Sequence, residues 1–275
     1  MYTSAAMKRD EMAVLAERRS ISPDAFLLTF ESPTLASEFV PGQFTMLRVP
    51  ALGGLLRRPY SFCASEPDRG RFSLLVKVVG VGSRALAELG LGQTVACLGP
   101  LGTSFRLPPK EMHPVIVAGG VGIAPFVGFC QELARRGHRA SVLLGGRQAH
   151  DLYLKDDFEA LGMEVLCTTE DGSCGKKGVV TDRIGELAIS KGRCIFYSCG
   201  PTGMLKRVAA MALELRSPCQ VSIERRMGCG VGCCLGCVVF TREPGETSGE
   251  YRRTCTEGPV FDAETVCWDK DPYPL

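Results

Sequence analysis

Between Met227 and Phe240 the chain reads MGCGVGCCLGCVVF, which sets Cys229, Cys233, Cys234 and Cys237 within nine residues. Thiolates at this density suit a metal, and two countings are open. Cys229, Cys234 and Cys237 follow a C-x4-C-x2-C spacing, the run that holds a [2Fe–2S] cluster once a further cysteine completes it. Cys255, in YRRTCTEGPVF, is the natural fourth ligand, and Cys267 is a weaker one. The rival count closes a zinc site from Cys229, Cys233, Cys234 and Cys237. It asks two adjacent residues to turn toward one ion, although neighbours usually direct their side chains apart. Gly228, Gly230, Gly232 and Gly236 would let the backbone wrap a cluster and aim N–H groups at its sulfurs.

A second chemistry is phosphate and nucleotide binding. VIVAGGVGIAPFVGF puts Gly119, Gly120 and Gly122 between a strand and a helix. Glycine lets an anion approach the backbone, and the helix start offers unpaired N–H groups. The pattern departs from G-x-G-x-x-G, because Pro125 stands where the third glycine would be, so an unliganded turn is an alternative. Thr169, Glu170 and Asp171 in TTEDGS, and Cys199, Gly200, Pro201 and Met204 in SCGPTGM, follow further strands. Open parallel sheets bind ligands at such ends. The two carboxylates suit ribose hydroxyls, or else a solvated loop. Arg147 could meet a phosphate or face solvent. Cys199 could lie beside a nicotinamide or fill a buried strand end.

RRPYSF adds a third set. Arg58 can grip a pyrophosphate in bidentate fashion. Beyond Pro59, Tyr60 shares a strand face with it and can pack on a flat ring, and Ser61 can hydrogen-bond a ring heteroatom. LLVKVVGVGSRAL then ends a strand with Gly80, Gly82 and Ser83, a second phosphate cradle. The plain alternative is a basic, aromatic strand edge followed by a glycine turn.

These residues need elements to hold them. From about Glu11 to Pro108, short β-branched and aromatic runs separated by Gly and Pro predict an antiparallel barrel or sandwich, with one short helix in SRALAEL. From Val115 to Glu224, strands such as PVIVAGG, ASVLLGGR and RCIFYSCG alternate with helices such as PFVGFCQELARRG, which predicts a parallel sheet covered on both faces. The last fifty residues are Cys- and Gly-rich and too short for much core, so they call for a metal staple. The chain thus divides into residues 1–108, 109–224 and 225–275: an antiparallel barrel, an α/β nucleotide-binding domain and a small metal domain.

Composition narrows the class. A chain of 275 residues with net charge +2 carries no basic surface for nucleic acid. No apolar run reaches the roughly 18 residues of a membrane span. MYTSAAMKRDEM has no apolar core and does not read as a signal peptide, so the expectation is a cytoplasmic protein with its fourteen cysteines reduced. His113, His138 and His150 fall in no motif and are read as exposed loop residues.

Taken in order, R-x-Y-S, the G-G-x-G-x-A-P loop and the C-G-P strand end resemble the ferredoxin–NAD(P)+ reductase superfamily over nearly the first 220 residues. That resemblance implies FAD in the barrel and a nicotinamide nucleotide on the α/β domain. By it, Arg58 contacts the FAD pyrophosphate, and Tyr60 and Ser61 lie at the isoalloxazine, where they are the candidates for a catalytic role. Leu75, Val76 and Lys77 line the flavin, and Gly82 and Ser83 hold phosphate. RRMGCGVGCCLGCVV with CTEGPVFDAETVCWD, and TTEDGSCGKKGVVTD, are similar to the iron–sulfur electron-transfer subunits of type 1B dihydroorotate dehydrogenases. This implies Cys229, Cys234, Cys237 and Cys255 as cluster ligands, with Cys233 where the family commonly has a small residue. It further implies NAD as the nucleotide. The expected partner is an FMN-containing dihydroorotate dehydrogenase catalytic subunit, in a heterotetramer of two of each. Two other readings stand: an NAD(P)H:ferredoxin-type oxidoreductase subunit with another redox partner, and a non-enzymatic zinc-binding interaction module.

Overall fold

The computed structural model describes residues 8–49 and 56–270. The amino-terminal stretch read for leader features lies mostly outside them. Six strands close a barrel: β1 (Arg9–Ser22), β2 (Ala25–Glu31), β3 (Phe44–Arg48), β4 (Arg58–Glu66), β5 (Arg71–Lys77) and β6 (Thr94–Leu101). All pair antiparallel in the order β1-β2-β5-β4-β3-β6, and β6 returns to β1. Strand periodicity sorts the side chains. On β5, Phe72, Leu74 and Val76 fill the barrel core. Leu75, one position out of phase, packs with the second domain instead. Two helices flank the barrel, α1 (Pro33–Glu38) and α2 (Val81–Ala87). The sequence reading omits α1, which has too few residues to show a period. Its signal is the Ser-Pro start, where Ser32 Oγ accepts the Leu35 N–H at 3.4 Å.

The second sheet contains β7 (His113–Gly119), β8 (Ser141–Gly146), β9 (Glu164–Thr169), β10 (Lys176–Lys177), β11 (Cys194–Cys199) and β12 (Cys219–Ser222), all parallel. Its helices are α3 (Phe126–Arg135), α4 (Lys155–Ala160), α5 (Ile184–Lys191) and α6 (Thr202–Glu214). One face buries Ile116, Val142 and Leu144 against Phe126, Phe129 and Leu133 of α3. The other buries Val115, Val117 and Leu143 against α5 and α6. Apolar residues at consecutive positions of β7 and β8 reflect this double coverage. The chain leaves the centre from β7 toward β8, β9 and β10, then returns to β11 on the opposite side. The carboxyl ends of β7 and β11 are therefore the switch point, where such sheets bind ligands.

The carboxyl-terminal region forms a hairpin, β13 (Val238–Thr241) with β14 (Glu250–Arg253), and a further strand, β15 (Val260–Asp262). β15 pairs antiparallel with β12 and becomes the sheet's outer strand. Phe261, Ala263 and Val266 then bury beside Val221 and Ile223. The sequence reading ended the α/β layer near Glu224, but three residues beyond a cysteine-rich loop carry no strand signal of their own. His113 also departs from expectation. It opens β7, half buried, and its Nε2 lies 2.9 Å from Ser141 Oγ. Among the described residues, no helix is long and apolar enough to cross a membrane.

Candidate functional site: a pocket, a cleft and a cysteine loop

Arg58, Pro59, Tyr60 and Ser61 on β4, and Leu75 and Lys77 on β5, converge on one pocket of about 360 Å³. The strand pleat explains which residues reach it. Val76 does not line it, because its side chain is fully buried in the barrel core. Arg58 Nη1 bonds back to the carbonyls of Leu56 and Arg57 at 3.1 and 3.2 Å. Burial pushes the Tyr60 phenol up to about 12, so it stays a neutral hydrogen-bonding group. Ser83 lines the same pocket, whereas Gly82 does not. The Ser83 hydroxyl accepts the N–H groups of Val79 and Gly80 at 2.8 and 3.1 Å. Those two amides are thus already engaged, and the expected cradle is narrower than the sequence suggested.

A cleft of about 520 Å³ opens over the switch point. Gly119, Gly120 and Gly122 after β7 and Gly200, Pro201 and Met204 after β11 line it side by side, and a Cβ on Gly119 would meet Met204 and Pro201. Gly122 has no room for a Cβ, which would collide with the Cys199 carbonyl. Gly120 adopts φ +53° with nothing within 4 Å of where a Cβ would stand, so its backbone faces the cleft openly. A 3-10 turn, Gly120–Ile123, separates this loop from α3, and Pro125 caps the helix. The helix start expected to meet a phosphate therefore lies one turn back. Glu170 lines the cleft, whereas exposed Asp171 accepts the Ser173 N–H and hydroxyl at 2.9 and 2.6 Å. Cys199 lines the barrel pocket, and burial pushes its thiol up to about 12. Lys77, Val121, Gly122 and Glu224 border both pocket and cleft, so the two are contiguous.

Two residues of this junction carry no sequence motif. Asp151, buried at the cleft floor, meets Lys77 Nζ at 3.3 Å from the barrel side. Burial alone would raise its pKa, but the Lys77 ammonium and the Arg147 guanidinium and amide hold it below the ordinary carboxylate value. The other is Phe44, opposite Ser61 in the β3–β4 register. It lines the barrel pocket and also packs in a core with Met46, Leu101, Cys237 and Cys255. Its only signal was its place beside Gly42 in a turn-to-strand step, which is too common to select it.

The cysteine loop wraps as its glycines predicted. Gly230 and Gly232 take φ +73° and +89°, and a Cβ on either would strike Met46 or Thr256. Burial would raise Cys229, but N–H groups of Val231, Cys234 and Cys233 and the Cys234 thiol bring it to about 6. Val231 N stands 3.4 Å from its sulfur. Burial and the adjacent Cys237 push Cys255 up to about 12, against the Gly232 N–H. Cys229 interacts with Cys234, and Cys255 with Cys237 and, more weakly, Cys229. Cys233 offers Cys229 a backbone N–H and leaves its side chain exposed. Among the described residues, no three His, Cys, Asp or Glu side chains surround one point able to hold a metal ion. A glycine-rich loop that brings cysteines beside the packed Cys237 and Cys255 fits an iron–sulfur cluster by its donor chemistry. Thr256 Oγ1 is buried without a protein partner. A polar orphan of this kind fits a site that takes a further group.

Comparison with known proteins matches three family models in this order. An oxidoreductase FAD-binding domain covers residues 12–105 and an oxidoreductase NAD-binding domain covers 116–210. The iron–sulfur cluster binding domain of dihydroorotate dehydrogenase B covers 224–267. The chain is 37% identical over 250 residues to the dihydroorotate dehydrogenase B (NAD(+)) electron transfer subunit of Desulforamulus reducens, spanning 90% of this chain and 95% of that one. It is 35% identical over 262 residues to its counterpart from Shouchella clausii, spanning 94% and 98%. Among solved structures it is similar, at 32% identity and TM-score 0.82, to a chain of an NADH-dependent reduced ferredoxin–NADP oxidoreductase, spanning 96% and 92%. A ferredoxin reductase of carbazole 1,9a-dioxygenase, at 21% identity and TM-score 0.67, spanning 78% of this chain and 68% of that one, shares the fold.

Proposed function

From the premise that this chain belongs to the family of dihydroorotate dehydrogenase B electron-transfer subunits, we propose that it links a dihydroorotate-oxidising FMN subunit to NAD+ in pyrimidine biosynthesis. It is an oxidoreductase with FAD-, NAD- and iron–sulfur-binding domains, whose seams we set near Pro108 and Glu224. FAD, when bound, supplies the exchange between the two-electron chemistry of a nicotinamide and the one-electron chemistry of the cluster.

The chain's own residues position these groups. Arg58 would hold the FAD pyrophosphate, Pro59 and Tyr60 would shape the wall at the flavin ring, and Ser61 would hydrogen-bond a ring heteroatom. Leu75 gives an apolar floor. Lys77 borders the ring and the cleft together, and Ser83 reaches a phosphate with what its capping bonds leave free. Gly119, Gly120 and Gly122 would admit the nicotinamide nucleotide, Glu170 would accept a ribose hydroxyl, and Gly200, Pro201 and Met204 would line the cleft beside the glycines. Cys199, on the barrel-pocket side, would lie near the flavin, and Cys229, Cys234, Cys237 and Cys255 would hold the cluster.

The observation that supports this most directly is adjacency. Pocket and cleft share Lys77, Val121 and Gly122, while Phe44 borders the pocket on one side and packs with Cys237 and Cys255 on the other. Electron transfer needs such short separations. Exposed Leu235 and Tyr251 give the cysteine region an apolar face for the catalytic partner, in an assembly of two of each subunit within the cytoplasm.

The test is reconstitution with a dihydroorotate-oxidising FMN subunit. Dihydroorotate should then drive NAD+ reduction, and failure to form NADH and orotate together would sink the assignment. The likeness to a chain of a reduced ferredoxin–NADP oxidoreductase favours a second reading, in which ferredoxin supplies the electrons. Reduced ferredoxin offered in place of the FMN subunit separates the two.

A further inference from the structure

Asp151 is the one buried carboxylate in the nucleotide cleft, among the described residues. It lies in the turn after β8, and its contacts are specific. Oδ2 accepts the Arg147 backbone N–H at 3.2 Å and stands 3.5 Å from Arg147 Nε. Oδ1 accepts from Lys77 Nζ at 3.3 Å and from the Tyr153 hydroxyl at 3.4 Å. Lys77 has a second partner, Asp24, at 3.5 Å. The Arg147 side chain is otherwise 72% exposed at the cleft rim. Here the ends of β8 and β9 run together: the Gly146 and Arg147 carbonyls accept the N–H groups of Glu170 and Asp171, each at 3.1 Å. Glu170, Arg147 and Asp151 therefore face one end of the same cleft.

Sheets of this kind recognise the adenosine ribose through a carboxylate that accepts the free 2′-hydroxyl, or through an arginine that accommodates a 2′-phosphate. This chain has both groups, so preference turns on whether the arginine is available. We infer that Asp151 is a specificity-determining residue, which holds Arg147 from beneath and so selects a dinucleotide with a free 2′-hydroxyl over its 2′-phosphorylated form. The inference rests on the cleft being the nicotinamide nucleotide site. Asp151 acts through Arg147 and is in that sense a positioning residue. Without the charge of Asp151, Arg147 loses its ion pair, while Lys77 keeps Asp24. Glu170 remains as the opposing carboxylate, so the gain for a phosphate is modest.

The experiment uses the holoprotein and its Asp151→Asn variant, with bound FAD checked by absorbance. Calorimetry gives the affinities for 5′-AMP and 2′,5′-ADP, and dye reduction gives kcat/KM for NADH and NADPH. Asp151→Asn should raise the 2′,5′-ADP to 5′-AMP affinity ratio, and the NADPH to NADH ratio, by roughly fivefold, the size of one exposed charge pair. Adding Arg147→Ala should return both ratios to the wild-type values. Equal losses for both nucleotides, or a gain that survives without Arg147, would overturn the inference. If Asp151→Asn sheds its FAD, Arg147→Ala alone decides. A held arginine predicts unchanged preference, and a selective loss of 2′,5′-ADP binding refutes it. Wild-type protein that binds neither adenosine nucleotide refutes the cleft assignment itself, a result distinct from binding both without preference.

Discussion

The barrel with its α/β partner and the cysteine-rich end reach order by different means. In the first two, strands and helices bury continuous apolar cores; inside the barrel Phe30 stacks on Phe72 at 5.7 Å and Phe62 meets Phe72 edge-on at 5.2 Å. Each such side chain contributes about 2 kcal/mol by leaving water. The end region has no core of this kind. It packs Cys237 and Cys255 against Phe44, Met46 and Leu101 of the barrel, and it adds β15 to the sheet. What holds it is borrowed surface together with cysteines of a metal-binding family domain. A region that stores its stability in a cofactor can sit at an edge and exchange electrons there. A region that must align two dinucleotides needs a rigid interior.

The strongest way to break this contrast is to remove a ligand. Cys255→Ser should abolish the cluster's visible absorbance and cut partner-dependent NAD+ reduction by more than about 100-fold, while FAD stays bound. Cys233→Ser should change neither. If Cys233→Ser loses the cluster and Cys255→Ser keeps it, the ligand set is wrong. A second perturbation attacks the borrowed surface. Phe261→Ala should destabilise the chain by about 3 kcal/mol in urea unfolding and lower cluster occupancy with it. Stability lost with no loss of iron would show that the two regions are independent.

A third tests the rigid side alone. Arg58→Ala should weaken FAD binding about tenfold, as expected for one charge-assisted contact, and leave the iron content intact. The smallest effect is at His113. Burial and the nearby Lys191 lower its pKa, so the folded chain binds that proton less readily than the unfolded one. Its contribution is complete above about pH 6.5, the unfolded value, and is lost as pH falls through that value toward the lower, folded one. His113→Gln should therefore flatten the decline in melting temperature between pH 7 and 5. Cluster absorbance should stay unchanged over that range, because His113 belongs to the cored region.

The sequence was legible where chemistry is local. The C-x4-C-x2-C spacing, the glycine loop after β7 and the period-2 runs of the barrel each follow from neighbouring residues, because wrapping, positive φ and pleat are backbone properties. The barrel, the parallel sheet and the metal-stapled end could be foreseen on that basis. Which of Leu75 and Val76 faces the barrel core is not legible locally, because one residue of register moves a side chain across the sheet, and only the closed barrel shows which face is inside. The local bonds of Asp171 to Ser173 were equally illegible, since they depend on how the loop turns.

By itself, then, the sequence determined the elements, their order and the residue types able to bind flavin, nucleotide and cluster. Three relations were left to the tertiary structure: β15 completing a sheet begun far upstream, Phe44 standing between the flavin pocket and Cys237 and Cys255, and Lys77 meeting Asp151 across two domains. Each joins segments from different parts of the chain. No local propensity encodes such a contact; it forms only when the apolar cores fix the strands and bring distant side chains within a few ångströms.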